Sequence, residues 1–234
     1  MQLFYNAELT ESSVKFTFPT EESKHIIKVL RKKEGDILAI TNGSGYVFEA
    51  KISHEDLRKC TVEIIKCSYY PQEGPHLHLA VAPTKMNDRY EWFLEKATEI
   101  GISEITPIIC DHSERKIIKL DRMQKVVQSA MKQSLHCHLP KLNEPISFAA
   151  FMTSPFSTQV YIAHCEETKK TALKERLRPN EDALVLIGPE GDFSLSEINT
   201  ALEKGFEPVT FGPNRLRTET AALYATTCFS ICNS

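Results

Sequence analysis

The stretch Leu184-Val185-Leu186-Ile187-Gly188-Pro189-Glu190-Gly191-Asp192-Phe193 decides the fold class of the chain. Its run of aliphatic residues without polar alternation predicts a strand buried on both faces, which ends at the Gly-Pro-Glu-Gly turn. The capping box Ser194-Leu195-Ser196-Glu197 then predicts a helix that ends at Gly205. A buried strand, a glycine turn and a capped helix are typical of an α/β domain with a largely parallel sheet.

The chain from residue 77 to residue 234 repeats this alternation of strands and helices. The sequence predicts strands at 76–82, 105–109, 159–163, 183–187 and 208–211, and helices at 88–100, 121–134, 195–204 and 218–231. The last helix carries no charge beyond its first turn, so we expect it to be buried on most sides.

The first part of the chain has a different pattern. Strands are predicted at 14–18, 37–40, 46–52 and 60–67, with a turn at Asn42-Gly43-Ser44-Gly45 and one helix at 20–33. This pattern predicts a small β-barrel. Prolines and a glycine follow without apolar periodicity, so we place one domain at 1–70, a linker at 71–76 and a second domain at 77–234.

Composition excludes several classes of protein. The chain has 234 residues, a net charge of -3 and seven scattered cysteines without a Cys-x-x-Cys pair, so no disulfide framework or zinc ribbon is indicated. No apolar stretch reaches the ~20 residues of a membrane span, and the N-terminus lacks the features of a secretory signal. We expect a cytoplasmic protein that binds no membrane. His136-Cys137-His138 has no further ligands at zinc-like spacing, so no metal site is predicted.

Two loops of the second domain are candidates for a binding site. Gly188-Pro189-Glu190-Gly191 follows one predicted strand, and 211–221 follows another. Ligands bind at the carboxyl ends of strands in such sheets, where glycines permit close approach to the backbone. The alternatives are an ordinary strand-turn-helix connection and simple capping of the last helix by Thr218. Capping leaves Arg215 and Arg217 unexplained, because cations are misplaced at a helix N-terminus.

The predicted helix at 20–33 carries a basic stripe. At helical spacing the residues Lys24, Lys28, Arg31 and Lys32 share one face, and Ile26, Ile27, Val29 and Leu30 share the other. Such a stripe could follow a phosphate backbone, or it could be an ordinary solvated face.

These features together resemble the bacterial ribosomal RNA small subunit methyltransferase E family, of the SPOUT methyltransferases. The segments that carry the resemblance are His25-Ile26-Ile27-Lys28-Val29-Leu30-Arg31, Asn42-Gly43-Ser44-Gly45, Glu95-Lys96-Ala97-Thr98-Glu99-Ile100-Gly101, Ile187-Gly188-Pro189-Glu190-Gly191 and Leu216-Arg217-Thr218-Glu219-Thr220-Ala221. The resemblance implies a PUA-like β-barrel that binds RNA, followed by an α/β domain with a C-terminal trefoil knot. It also implies S-adenosylmethionine-dependent methylation of a uridine N3 in 16S ribosomal RNA, by a homodimer.

The resemblance further implies which residues form the site. The cofactor pocket would contain His164, Ile187, Gly188, Glu190, Gly191, Phe211, Gly212, Leu216 and Thr218. Arg217 would stabilise negative charge on the uracil oxygens, and Glu219 or Glu190 would be the base or would hold a loop in shape. RNA would be bound by Lys24, His25, Lys28, Arg31, Arg115, His136 and Arg215.

The chain departs from the family pattern at several positions. It has Lys132-Gln133-Ser134-Leu135-His136 where the family usually has Glu-Gln-Ser/Cys-x-Arg, and His138 at a nearby position that is frequently basic. It has Asp192 where the family usually has a second glycine. An arginine common near the family N-terminus is absent. Histidines at these positions would bind RNA with weaker, pH-dependent charge.

Two other functions are compatible with parts of the pattern. A non-catalytic RNA-binding or ribosome assembly factor could use the basic stripe and keep the α/β domain as a scaffold, without binding S-adenosylmethionine. A dinucleotide-dependent oxidoreductase is disfavoured, since the chain lacks Gly-x-Gly-x-x-Gly.

Overall fold

The computed structural model describes residues 2–156 and 158–234, which form two compact units. The first unit comprises the residues up to Gln72 together with Met131–Leu139, and the second comprises Glu73–Ala130 and Pro140–Ser234. No feature of the sequence predicted that Met131–Leu139 would join the first unit.

The first unit is built on one five-stranded sheet. Its elements are β1 (Leu3–Tyr5), β2 (Lys15–Thr17), α1 (Thr20–Lys24), a π-helical turn (His25–Val29), β3 (Ile37–Thr41), β4 (Tyr46–His54) and β5 (Thr61–Tyr69). The strand order is β1-β3-β4-β5-β2, in which only the β1–β3 pair is parallel. Phe48, Ala50 and Ile52 alternate into the core along β4, while Glu49 and Lys51 are exposed, as expected for a sheet with one solvated face.

The helix predicted at 20–33 is shorter and less regular than expected. α-Helical geometry ends at Lys24, and the Leu30 amide then donates to the His25 carbonyl at 3.0 Å, the spacing of a π-helix. Arg31 follows with a φ of 54°, which ends the helical segment. The assignment of Val29 to the apolar face is wrong, because the wider turn directs it outward and leaves it 68% exposed.

The second unit alternates strands and helices, as predicted. Its strands are β6 (Leu77–Val81), β7 (Glu104–Ile109), β8 (Lys141–Leu142), β9 (Ile146–Ser147), β10 (Gln159–Ala163), β11 (Thr171–Ala172), β12 (Ala183–Ile187) and β13 (Glu207–Thr210). Its helices are α2 (Asn87–Ile100), α3 (Leu120–Gln133, whose last three residues belong to the first unit), α4 (Phe148–Phe151), α5 (Leu173–Arg176), α6 (Leu195–Glu203) and α7 (Thr218–Cys232).

The strands of the second unit form one parallel sheet of eight strands. Its order is β11-β13-β10-β12-β6-β7-β8, and β9 also pairs with β7. Leu184 and Leu186 point into a core with Ile198 and Ala201 of α6. α2 and α7 pack against each other, and α7 contacts β6 and β12. The aliphatic run of β12 is therefore buried throughout.

Parallel order places the loops that follow β10, β12 and β13 at the same edge of the sheet, since these three strands are adjacent. The candidate site lies at this edge. Among the residues that the structure describes, no helix is long and apolar enough to cross a membrane.

Candidate active site

A cavity of about 660 Å³ opens where these three loops meet. This volume is typical of a site for a cofactor or other small molecule. Its lining residues are Ala163, His164, Cys165, Lys170, Ile187, Gly188, Pro189, Glu190, Asp192, Val209, Thr210, Phe211, Gly212, Pro213, Asn214, Arg215, Leu216, Arg217, Thr218 and Ala221.

The loop after β10 contributes a buried imidazole. His164 is 7% exposed, and within the described part of the chain neither of its ring nitrogens has a hydrogen-bond partner. Burial, with the nearby Lys170 ammonium, holds the pKa of His164 below the ordinary histidine value. Lys170 Nζ donates to the carbonyls of His164 and Glu166 at 2.9 and 2.6 Å, which fixes this loop. A buried polar group without a partner is a candidate for contact with a bound molecule.

The loop after β12 is tied to its neighbours through side-chain carboxylates. Asp192 has a φ of 64°, and its Oδ2 accepts from the Cys165 amide at 2.7 Å. Glu190 Oε1 accepts from the Lys85 amide at 2.9 Å, and its buried Oε2 has no partner among the described residues. These contacts connect the loop after β12 to the loops after β10 and β6.

The glycines of this loop also have a packing role. A Cβ on Gly188 would lie 3.0 Å from Cδ2 of Phe193, and one on Gly191 would lie 3.0 Å from Cβ of His112. The missing side chains therefore make room for neighbouring side chains of the protein itself. Gly191 is also absent from the cavity lining, whereas the other eight residues predicted to hold the cofactor all line it.

The segment after β13 joins the cavity to α7. Thr218 Oγ1 donates to the Gly188 carbonyl at 3.0 Å, so it does not cap the helix; the N-cap residue is Arg217. Arg215 and Arg217 are exposed, and neither guanidinium has a hydrogen-bond or ion-pair partner in the part of the chain that the structure describes. Two unpaired cations at one edge of a cavity can bind a negatively charged or carbonyl-rich group.

Glu219 lies next to this segment, in the first turn of α7. It is 7% exposed, its Oε1 lies 3.9 Å from Arg89 Nε, and its Oε2 has no partner among the described residues. The structure thus separates the two carboxylates that were candidates for the base. Glu190 lines the cavity described above, and Glu219 does not.

The residues predicted to bind RNA are divided between the units. Lys24, Lys28 and Arg31 are exposed in the first unit. His25 is partly buried in the first unit, and its Nε2 lies 3.1 Å from the side-chain Nε2 of Gln2. His136 is also partly buried in this unit.

Arg115 and Arg215 belong to the second unit. Arg115 donates from Nε to the carbonyls of Thr84 and Lys85 at 3.1 Å each, and from Nη2 to that of Lys85 at 2.6 Å. These contacts hold the loop after β6, whereas Arg215 has no such contact among the described residues.

Sequence reasoning did not assign several of the cavity residues, among them the polar residues Cys165, Lys170 and Asp192. Asp192 could have been found, because an aspartate directly after a glycine turn can adopt a positive φ and accept backbone hydrogen bonds. Lys170 had no sequence signal, since its position depends on how the loop after β10 folds. No group of three or more metal-ligating side chains occurs within residues 2–156 and 158–234.

Comparison with known proteins identifies both units. Residues 72–230 match the RNA methyltransferase domain family, and residues 18–65 match the RNA methyltransferase PUA domain family. The ribosomal RNA small subunit methyltransferase E of Buchnera aphidicola is 32% identical over 221 residues, covering 91% of this chain and 86% of that protein.

Solved structures agree along the whole chain. A probable rRNA-methyltransferase from Porphyromonas gingivalis has 38% identity and a TM-score of 0.91, covering 100% of this chain and 98% of that one. Ribosomal RNA small subunit methyltransferase E from Neisseria gonorrhoeae, bound to S-adenosyl methionine, has 28% identity and a TM-score of 0.85, with coverage of 100% and 98%. These matches confirm the resemblance on which the sequence analysis relied: the chain belongs to the ribosomal RNA small subunit methyltransferase E family.

Proposed function

We propose that the chain transfers the methyl group of S-adenosylmethionine to N3 of a uridine in 16S ribosomal RNA, in the cytoplasm. The observation that carries this proposal is the cavity at the ends of β10, β12 and β13, with the unpartnered buried imidazole of His164 in its wall. A relative of the same fold holds S-adenosyl methionine.

The cavity residues fit both the adenine ring and the charged methionine part of this cofactor. Apolar side chains for the adenine ring come from Ile187, Val209, Phe211 and Leu216. Neutral His164 offers both a ring N–H donor and a ring nitrogen acceptor, and Asp192 supplies negative charge for a cationic ligand. We assign cofactor binding to His164, Ile187, Gly188, Glu190, Phe211, Gly212, Leu216 and Thr218, with Gly191 as a packing residue of the loop.

The bound cofactor supplies an electrophilic methyl group, and the protein must supply alignment and remove the proton of uridine N3. Alignment of the reacting atoms contributes several kcal/mol, and a placed base contributes about 10²- to 10⁴-fold in rate. Arg217 lies at the cavity edge and its guanidinium has no partner among the described residues, so it can stabilise negative charge on the uracil oxygens.

Glu219 is the better candidate for the base. One oxygen of Glu190 already accepts a backbone hydrogen bond from Lys85 and so holds a loop. Glu190 and Glu219 each have one buried oxygen without a partner among the described residues, but the other oxygen of Glu219 has only the 3.9 Å contact with Arg89 Nε, and Glu219 lies two residues after Arg217 in the chain. The proton of N3 would pass to the unpartnered oxygen of Glu219, and the electron pair that the N–H bond leaves on nitrogen would form the new bond to the methyl carbon, with the carbon–sulfur electron pair remaining on the departing sulfur.

RNA binding completes the proposal. We assign phosphate contacts to Lys24, Lys28 and Arg31 of the first unit and to Arg215 of the second, with His25, His136 and Arg115 in supporting positions. The chain would bind the 16S RNA or the small ribosomal subunit as a homodimer. The α7 helix supports this state, since it has only one charged residue and Ile231 is 70% exposed. A barrel in the first unit and a trefoil knot in the second are part of the same proposal.

Calorimetry with S-adenosylmethionine and single-turnover methylation test the proposal together. We expect the parent protein to bind the cofactor and methylate 16S RNA, and we expect Arg217→Ala to lower the single-turnover rate at saturating RNA by at least tenfold with little change in cofactor affinity. Arg217→Lys should recover only part of the rate, because lysine keeps the charge but loses the planar fork. A parent protein that binds RNA and no cofactor would instead be an assembly factor.

A further inference from the structure

A second cavity of about 710 Å³ lies between α2 and the start of α7. Its lining residues are Asp88, Arg89, Trp92, Arg215, Leu216, Arg217, Glu219 and Thr220. Arg215, Leu216 and Arg217 also line the first cavity, so the two cavities share one wall. A molecule in the second cavity would thus lie beside a molecule in the first.

Trp92 gives this cavity an aromatic surface. It is the only tryptophan in the chain, and its side chain is 42% exposed, whereas Tyr90 and Phe93 on the same helix are buried. Burial in the core therefore does not explain why an indole is at this position. A partly exposed indole flanked by arginines is the type of surface on which nucleic-acid bases stack.

The polar groups of the cavity combine one carboxylate acceptor with guanidinium donors. Glu219 Oε2 is a buried acceptor without a partner among the described residues, and the Arg89 and Arg217 guanidinium groups lining the same cavity are donors. Uracil presents a carbonyl oxygen, an N–H and a second carbonyl oxygen along its pairing edge. Cytosine presents an unprotonated nitrogen at the middle position, which would repel the carboxylate.

We propose that the second cavity holds the target uracil, stacked on Trp92 with its N3–H toward Glu219 and its carbonyl oxygens toward the arginines. This inference rests on the proposed function and adds the residues that select the base. It makes Trp92 a substrate-binding residue. Glu219, together with Arg89 and Arg217, would select uracil over cytosine. The wall shared by the two cavities would place the base beside the site proposed for the methyl donor.

Intrinsic fluorescence tests the cavity directly, because a single tryptophan reports on it alone. We expect single-stranded oligo(U) decamers to quench the Trp92 emission and oligo(C) decamers of equal length and charge to have much less effect. Equal quenching by both oligonucleotides, or quenching by neither, would overturn the selection of uracil. Emission that changes with protein concentration and not with RNA would show that a second copy of the chain covers Trp92, and would overturn the proposal.

Kinetics of the full-length variants provide the second readout. Trp92→Ala should raise the KM for 16S RNA by about 5- to 150-fold, the usual value of one base–aromatic stack, with unchanged cofactor affinity. Trp92→Phe keeps a stacking ring and should remain close to the parent, which excludes misfolding as the cause. Met86→Ala is a matched control, since Met86 is an exposed apolar residue just before α2 that does not line the cavity.

The outcomes separate this inference from the proposed function. A parental KM in Trp92→Ala, with normal methylation, would contradict the role of Trp92 and leave the proposed function intact. Uracil-selective quenching without any methylation of 16S RNA would support the cavity and contradict the proposed reaction.

Discussion

Gly188 illustrates how a single residue is constrained from within the protein. Its missing side chain leaves space for the Phe193 ring and backbone nitrogen, which a Cβ would approach to 3.0–3.2 Å. Phe193 is buried in the core beneath the sheet, so it cannot move away freely. Packing against Phe193 requires glycine at this position, and ligand binding depends on that packing.

Substitution of Gly188 should therefore reduce stability as well as cofactor affinity. Overpacking of a well-packed site costs about 1–3 kcal/mol, so we expect Gly188→Val to lower the free energy of unfolding by this amount or more. Denaturation with urea measures it. The stability cost of Gly188→Ala should be smaller in a Phe193→Leu background than in the parent, and an equal cost in both backgrounds would show that the Phe193 ring is not the cause.

His164 predicts a pH dependence of cofactor binding. Its pKa is lowered by burial and by Lys170, against the opposing charges of Asp192 and Glu166, so the neutral imidazole is the form present in the folded protein at neutral pH. A histidine whose folded pKa is depressed stabilises the fold above its unfolded value and loses this contribution as the pH falls through the folded value. Binding of a cationic cofactor should weaken in the same window.

Calorimetry across pH measures this effect. We expect constant affinity at neutral pH and a decline that begins only below about 6.5, by up to about tenfold per pH unit for one proton. His164→Asn should have weaker affinity at neutral pH and a flatter profile. Identical profiles for the variant and the parent would assign the pH dependence to another group.

At the scale of whole elements, Asp192 connects two of the three loops that form the cavity. Its Oδ2 accepts from the Cys165 amide at 2.7 Å while its Oδ1 accepts from the Phe193 amide at 2.9 Å. The loops after β10 and β12 therefore share one carboxylate. A glycine, usual for the family at this position, would adopt the same φ and provide no such connection.

Asp192→Asn removes one of these acceptors but keeps a residue that tolerates a positive φ. We expect a stability loss of about 1–3 kcal/mol and at least tenfold weaker cofactor binding. Asp182→Asn is the matched control, because Asp182 Oδ1 accepts from the His76 amide at 2.7 Å just before β12, at the opposite edge of the sheet. Equal cofactor affinities in the two variants would contradict a role for the Asp192 connection.

The basic stripe of the first unit predicts how RNA binding depends on salt concentration. Lys24, Lys28 and Arg31 remain exposed despite the π-helical turn. If each contacts one phosphate of single-stranded RNA, a triple glutamine variant should reduce the slope of log K against log salt by about 2, from roughly 0.7 per contact. A control variant with glutamine at Lys15, Lys51 and Lys59, which are exposed elsewhere in this unit, should reduce the slope less. Parental slope and affinity in the stripe variant would make the stripe an ordinary solvated surface.

Long elements with a clear pattern could be predicted from the sequence, and short ones could not. β10 and β12 begin and end at the predicted residues; β12 is a continuous buried aliphatic run, and β10 is a short, mainly apolar segment. β11, α4 and α5 contain two to four residues, too few to show any periodicity. The π-helical turn was missed for a different reason: Ile26 and Val29 fit helical spacing in the sequence, but the backbone widens between them.

The candidate site was predicted where it follows strand ends and missed where it depends on tertiary contacts. Loops after β10, β12 and β13 were recognised from glycine turns, unpaired arginines and a family resemblance. The exposure of Trp92 and the missing partner of Glu219 Oε2 could not be predicted, since both depend on how α2 and α7 pack.

Within a chain of net charge -3, the two units have different features: the first has exposed cations and the second has the two cavities. Cations of the first unit are available for phosphate contacts, while the second unit provides both cavities. An acidic chain can therefore bind a polyanion through local basic surfaces. This division of tasks predicts that stripe variants change RNA affinity without changing cofactor affinity.

The proposed reaction can be tested by identifying which nucleoside of the RNA product carries the transferred methyl group. Small ribosomal subunits and free 16S RNA from cells lacking this gene would be incubated with the purified protein and S-adenosylmethionine carrying a deuterated methyl group, then digested to nucleosides and analysed by mass spectrometry. We predict that the label appears as 3-methyluridine in small-subunit RNA, and that Arg217→Ala slows its appearance. Label on another nucleoside, or no label from a protein that binds both RNA and cofactor, would contradict the account.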